Sequence, residues 1–300
     1  VFKNTRFLSE GTMSQPVINT FAVIGVGLIG GSFSRALKQA GVVKRVIGFD
    51  LDSANLAEAL QLGVVDEIAA DYAAAVSSAD LVFLAVPVRA MTAAVSACAP
   101  FLRPGCVVTD GGSVKDELVV ACEQLVPAGC SFVGGHPIAG TEHSGAKASF
   151  ATLFQGRRCI LTPTSRTDQQ ALALVQQLWE AAGSRVECME PLTHDRVFAA
   201  VSHLPHMVAY ALVHAVNGSA EEEENILAFS AGGFRDFTRI ASSDPSMWRD
   251  IALMNRLPLL AMLDRYQSEF AALREKVASG DGAWLENYFT TSKRLRDEII

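Results

Sequence analysis

The chain has 300 residues, half of them hydrophobic and only 19% charged, a balance that supports a buried core and excludes an intrinsically disordered chain. Lys and Arg number 25 against 32 Asp and Glu, so the net charge of -7 opposes binding to nucleic acid. The longest unbroken apolar run, Leu81 to Val88, falls far short of the ~18 residues that argue a bilayer span, and the opening residues build no secretory signal. No membrane partner and a cytoplasmic location are therefore expected.

Residues 1–19 show no periodicity and read as a flexible N-terminal extension. From Thr20 short β-branched runs alternate with helical patterns, which in one dimension is a parallel sheet with crossover helices. Phe21 to Ile24 is the first strand, followed by a glycine-rich turn and a helix from Leu28 to Ala40 that Gly41 closes. Arg45 to Asp50 is the second strand, then come a helix capped at Ser53 and a short strand at Val64-Val65. Leu81 to Val86 is apolar at every position, as a strand covered on both faces must be. Cys106 to Thr109 and Phe132-Val133, separated by a helix from Val114 to Gln124, extend the sheet. Cys159 to Thr162 and Arg185 to Cys188, around a helix from Asp168 to Ala182, continue it.

After Pro191 no strand-length run recurs, and helices are expected near His194 to Asn217, Ala220 to Phe229, Met247 to Ser279 with breaks allowed, and Ala283 to Glu298. Glu221 to Glu224 reads as a solvated first helical turn capped by Ser219. The fold class is thus α/β: a Rossmann-type dinucleotide-binding domain over residues 20–190 and an all-helical domain over 191–300. The six cysteines are widely spaced, form no Cys-x-x-Cys pair and read as buried small hydrophobes.

Gly25-Val26-Gly27-Leu28-Ile29-Gly30 follows a strand, opens a helix and has Asp50 at the end of the next strand. In that context the glycines serve a tight turn, close approach of backbone to a pyrophosphate, and helix–strand packing. Leu28 and Ile29 start the helix whose N-terminus receives the anion. Asp50 accepts hydrogen bonds from a ribose diol and repels a 2′-phosphate, so the expected cofactor is NAD; Asp52 is a rival for that role. Ligands of open α/β sheets bind beyond the carboxyl ends of strands, which brings forward three loops. These are Val86-Pro87, Asp110 to Lys115, and Gly134-Gly135-His136-Pro137 running on to Thr141 and Glu142. His136, in flexible backbone between glycines, can take a proton near neutral pH, or it can merely bond the backbone. Ser113 can orient the imidazole or cap the following helix.

In the helical part Ser202-His203-Leu204-Pro205-His206 is the densest polar cluster, with Tyr210 and His214 continuing the His206 face. No carboxylate or cysteine completes a ligand set with His203 and His206, so no metal is expected. Arg235, Arg239 and Arg249 are the best cations for gripping a small anion; ion pairing with Asp236 and Asp250 is the alternative.

Five ordered blocks carry a resemblance over most of the chain: Gly25 to Ser32, Gly112 to Lys115, Gly134 to Glu142, Ser202 to His206 and Gly232 to Arg239. The sequence resembles the prephenate/arogenate (cyclohexadienyl) dehydrogenases. The resemblance implies NAD-dependent oxidative decarboxylation in tyrosine biosynthesis, a small-molecule substrate, and a homodimer formed through the helical domain. By motif, His136 would receive the proton of the ring 4-hydroxyl and Ser113 would hold His136. Arg239 would grip the ring carboxylate, and His206, Ser202 and Arg235 would line the substrate site, with Thr141 and Glu142 near its mouth. Gly25, Gly27, Leu28, Ile29, Gly30, Asp50 and Pro87 would contact the cofactor. Where the family often has lysine, this chain has Arg235, which keeps the charge but changes its shape. Within these 300 residues the resemblance reaches neither a chorismate mutase nor an ACT-like segment. Two other readings are a β-hydroxyacid dehydrogenase, which needs a catalytic lysine where only Lys276 and Lys293 remain, and an NAD-sensing module that would make His136 and Arg239 dispensable.

Overall fold

The computed structural model describes residues 18–141, 143–218 and 226–299. The expectations for the extension up to residue 17, for Glu142, and for the Glu221 to Glu224 turn with its Ser219 cap lie outside the described residues. The chain divides into two compact units. One comprises the chain up to His194 together with Asp244–Asp250; the other comprises Asp195–Ser243 and Ile251–Ile300.

In the first unit six parallel strands form one sheet in the order β3-β2-β1-β4-β5-β6. They are β1 (Ile18–Ile24), β2 (Val43–Phe49), β3 (Glu67–Ile68), β4 (Leu81–Leu84), β5 (Val107–Asp110) and β6 (Ser131–Val133). This is the doubly wound order whose direction reverses beside β1, so the ends of β1 and β4 flank a crevice. The core lies under helix α1 (Leu28–Gln39), where Phe33 stacks on Trp179 at 4.0 Å between ring centroids and meets Phe21, Phe83 and Phe154 edge-on or tilted. Such aromatic packing adds about 0.5–1.5 kcal/mol per pair beyond area burial.

Several local expectations are corrected. β1 starts at Ile18, and the third strand is Glu67–Ile68 instead of Val64-Val65, which are buried just before it. Helix α2 (Ser53–Gln61) is capped by Asp52, whose carboxylate accepts the Ala54 and Asn55 amides, so Ser53 is its first residue and not its cap. Arg158–Leu161 (β8) and Arg185–Cys188 (β9) do not continue the main sheet. They form a second, three-stranded sheet with Gly135–Pro137 (β7), antiparallel across β7 and β8 and parallel across β8 and β9. Cys98, Cys106, Cys122 and Cys159 are buried as expected, whereas Cys130 is half-buried and Cys188 exposed; all six are free thiols. Burial pushes Cys98, Cys106 and Cys122 up to about 12.

The second unit is helical throughout its described residues. A continuous helical segment runs from Pro191 to Gly218 through one π turn at Ala199–His203. Its stretch Pro191–Asn217 is long and apolar enough, with mean hydropathy 1.3, to meet the length and composition test for a membrane span, although no single apolar run in the sequence does. That stretch nevertheless carries His194, Asp195 and His203, all buried inside the protein. The helical stretch expected over Met247 to Ser279 has its break at Asn255, giving Pro245–Met254 and Arg256–Ser279, and a short helix at Gly232–Thr238 precedes them. Gly282–Asp297 closes the described chain.

Candidate active site

The glycine-rich turn is built as tight backbone. Gly25 has φ +90°, and a Cβ there would lie 2.6 Å from the Ala85 carbonyl oxygen. A Cβ on Gly30 would collide with the Gly25 carbonyl oxygen, while one on Gly27 would meet nothing within 4 Å. The turn is therefore closed on its sheet side at Gly25 and Gly30 and open at Gly27, next to the N-terminus of α1. Leu28 is buried and Ile29 half-buried at the start of that helix, and Pro87 is the exposed residue preceding helix Val88–Cys98 beyond β4.

Asp50 follows β2 and is aimed at this turn: one carboxylate oxygen accepts the Val26 amide at 2.8 Å and the other accepts the Asp52 amide at 3.0 Å. Asp52 is committed to capping α2, which leaves Asp50 as the acid presented at the turn. Asn55, which the sequence reading did not single out, donates to the Val26 carbonyl at 3.1 Å and accepts the Ala146 amide at 2.7 Å. It thereby ties the glycine turn to the loop that follows the His136 motif. Asp50→Ala removes the acceptor of the Val26 amide and the acid expected to meet a ribose diol. The expected result is a rise in KM for NAD of about 10–100-fold together with a smaller preference over NADP, read by steady-state kinetics with both dinucleotides.

Beyond the carboxyl ends of β5 and β6 a buried ion pair organises the next part. Asp110 and Lys115 are both fully buried and in direct contact. Asp110 accepts the Gly112 amide at 2.8 Å and the Gly135 amide at 3.0 Å, and Lys115 donates to the Gly135 carbonyl at 2.8 Å. One pair thus clamps the loop carrying Ser113 and the backbone immediately before His136. Helix Asp116–Leu125 starts after Lys115 with no side-chain cap, so the capping alternative for Ser113 falls; Ser113 is half-buried in the loop. His136 is not in flexible backbone either. It sits in β7, in register with Ile160 of β8, because antiparallel pairing satisfies its backbone. Its Nδ1 lies 2.8 Å from Nε2 of His194, a fully buried histidine in the first helical turn after Pro191. No local sequence signal marks His194; Glu190, which accepts the Leu192 and Thr193 amides, and Pro191 mark only the start of its helix.

After β7 the chain borders a cavity of about 450 Å³ lined by Ile138, Gly140, Thr141, Phe150 and Arg157 among others. Thr141 is exposed there, its hydroxyl accepting the His143 amide at 3.2 Å.

In the helical unit the π turn holds Ser202 and His203 and is braced by Asn255. That amide donates to the Asp195 carbonyl at 2.8 Å and lies 2.9 Å from His203 Nδ1, which commits His203 to packing. His206 Nδ1 lies 2.9 Å from the Ser202 carbonyl oxygen and must be the donor, so the second nitrogen carries the lone pair of the neutral ring. Burial holds the His206 imidazole below its ordinary value, the Ser202 carbonyl opposes this, and the Arg239 charge adds to the lowering. His206 is therefore neutral at pH 7, with Arg239 close enough to act on it electrostatically. Arg235 is exposed on the Gly232–Thr238 helix and Arg239 exposed directly after it. Arg249 does not join them, because its guanidinium is bound to Asp250 at 2.7 Å; for this residue ion pairing was the right alternative. Lys276 and Lys293 are ion-paired to Asp281 and Asp297 at 3.2 and 2.5 Å.

Comparison with known proteins bears on both units. The family described as "Prephenate dehydrogenase, nucleotide-binding domain" matches residues 33–188, and "Prephenate dehydrogenase, dimerization domain" matches residues 190–291. Cyclohexadienyl dehydrogenase of Zymomonas mobilis is 41% identical over 93% of this chain and 96% of its own length. Prephenate dehydrogenase of Bacillus subtilis is 39% identical over 94% of this chain and 76% of its own. The crystal structure of prephenate dehydrogenase from A. aeolicus in complex with hydroxyphenyl propionate and NAD+ superposes with TM-score 0.90 at 38% identity, covering 97% of this chain and all of that one. This chain belongs to the prephenate dehydrogenase family.

Proposed function

We propose that the protein catalyses the NAD-dependent oxidative decarboxylation of prephenate, arogenate or both, giving 4-hydroxyphenylpyruvate or tyrosine in tyrosine biosynthesis. The observation that carries the reading is His136, held on a paired strand in the same unit as a turn that fits a dinucleotide. Open backbone at Gly27, the first amides of α1 and the Asp50 carboxylate suit a pyrophosphate and a ribose diol. Gly25, Gly30, Leu28, Ile29 and Pro87 shape the same site. When bound there, NAD accepts a hydride from the substrate's ring carbon.

His136 accepts the hydrogen bond, and then the proton, of the hydroxyl on that carbon as it is oxidised to a ketone. The opposite ring carbon bears the carboxylate, so the oxidised ring is the vinylogue of a β-keto acid. Its carbon–carboxylate bond breaks, the electron pair aromatises the ring, carbon dioxide leaves and the oxygen recovers its proton from His136. No proton is released overall, and aromatisation supplies the driving force. Ser113 steadies His136, Arg239 grips the ring carboxylate with its fork, and His206, Ser202 and Arg235 hold the rest of the substrate, with Thr141 and Glu142 at its edge. His206 does so as a neutral hydrogen-bonding ring. The same reading makes the protein a cytoplasmic homodimer joined through the helical unit, in keeping with the matched dimerization domain.

The test is a steady-state assay of the purified protein with each substrate and with NAD or NADP, following reduced dinucleotide and carbon dioxide together. Equal amounts of both products are expected; reduced dinucleotide without carbon dioxide would end the reading. In the same assay Arg239→Gln is expected to raise the substrate KM about 10–100-fold while kcat changes far less.

A further inference from the structure

His194 is absent from the residues the family motifs bring forward, yet its ring is hydrogen-bonded to that of His136. The contact joins His136 Nδ1 to His194 Nε2 at 2.8 Å, with ring centroids 5.0 Å apart and planes inclined at 64°. His194 is fully buried and fixed at its own backbone, whose amide donates to the Glu190 carbonyl at 2.9 Å. Two imidazole nitrogens at this distance share one proton, and its position decides what His136 can do. A proton on His136 Nδ1, donated to His194, leaves the lone pair of neutral His136 on Nε2. A proton on His194 Nε2 places the His136 proton on Nε2 and removes its capacity as a base at that atom.

We propose that His194 is a positioning residue that accepts the His136 Nδ1 proton, selecting the tautomer whose Nε2 is the base and stabilising the imidazolium formed when the substrate proton arrives. The proposal rests on the reading of His136 as the catalytic base. The bond strengthens once His136 is charged, because charge-assisted hydrogen bonds are roughly twice as strong as neutral ones. Its contribution therefore falls on turnover more than on binding. A neutral acceptor differs here from the buried carboxylate that orients histidine in serine-protease triads: it fixes the tautomer without adding a negative charge beneath the ring. The other charged groups around the pair leave that role open. Asp110 and Lys115 neutralise one another under β7, and Glu190 is engaged by the Leu192 and Thr193 amides. Cys159 on β8 is a thiol that burial raises well above its ordinary value, and Asp195, next in the chain, is buried.

The experiment compares His194→Leu, which removes the acceptor, with His194→Gln, whose amide oxygen can replace Nε2, measuring kcat, KM and the pH profile of kcat/KM. For His194→Leu a fall in kcat of about 100-fold is expected, with substrate KM within threefold and the acid limb moved to lower pH by about one unit. His194→Gln is expected to recover to within about tenfold of the unmodified protein with its limb restored. The double variant His136→Asn/His194→Leu should be no slower than His136→Asn alone, since residues acting as a unit are not additive. An unmoved acid limb in His194→Leu, or equal impairment of the leucine and glutamine variants, overturns the proposal; a purely structural histidine would lower the melting temperature in that way without touching the limb. Should His136→Asn itself keep full turnover, the catalytic reading fails first. A dead His136→Asn beside an unaffected His194→Leu removes only the role assigned here to His194.

Discussion

Asparagine in place of His136 is expected to lower kcat by about 10²–10⁴-fold, the range general acid–base catalysis contributes, while leaving the substrate KM within a few-fold of its starting value. Asparagine fills much of the same volume and can keep a bond from its amide toward His194, so β7 should retain its pairing with β8. What it cannot do is take up a proton near neutral pH. The variant should therefore bind dinucleotide and substrate and fail at the oxidation of the ring carbon. The check is a pair of measurements on one preparation: calorimetric titration for binding and stopped assays for turnover. Turnover close to that of the unmodified protein would remove His136 from the mechanism.

A second large effect is expected at a residue remote from proton transfer. Lys115→Met leaves the fully buried Asp110 without its cation, and breaking one side of a buried ion pair costs about 3–5 kcal/mol. Over a unit of this size each kcal/mol corresponds to roughly 2–4 °C, so the melting temperature should fall by roughly 6–20 °C. Function should suffer as well, because Lys115 holds the Gly135 carbonyl and so the strand that presents His136. Introducing Asp110→Asn into the same chain removes the uncompensated charge and should return much of the lost stability. It should return less of the activity, since the Gly135 carbonyl still lacks its donor. Thermal unfolding of the single and double variants beside their kcat values separates the two effects; a single variant that melts with the unmodified protein would show that the pair contributes nothing net.

The parts legible in the sequence are those governed by short-range pattern. β1, α1 and the glycine turn announce themselves because a strand-length apolar run, three glycines and a 3.6-residue period follow one another directly, and Gly41 ends α1 with φ +71°. The place of Asp50 directly after β2 is legible for the same reason. β7 is not: three residues containing a proline carry no alternation, and their pairing is with a strand more than twenty residues farther on. Without that pairing β7 reads as a flexible loop and the two sheets read as one. The Asp110–Lys115 pair sits inside a motif that the sequence brings forward, yet only burial reveals that its lysine is structural. His194 and Asn55 carry no local signal because each acts across a long separation, 58 residues to His136 and 91 to Ala146. Arg249 shows the reverse error, a cation grouped by proximity in sequence that spends its charge on its immediate neighbour.

The π turn at Ala199–His203 accommodates one residue more than a regular helix would. The extra residue is absorbed within the turn, so the side chains after it keep the angular phase of a regular helix one residue shorter. His206, whose ring feels Arg239, and Tyr210, whose hydroxyl donates to the Ser243 carbonyl, stand four residues apart on the regular helix that follows and so share one of its faces. Loss of a single codon within the turn would leave a smoother helix whose later side chains keep their phase, whereas loss of one between the turn and His206, with the turn kept, would swing the imidazole off the arginine by about 100°. Across such a stretch the quantity inherited with the site is angular phase, which no count of residue types records.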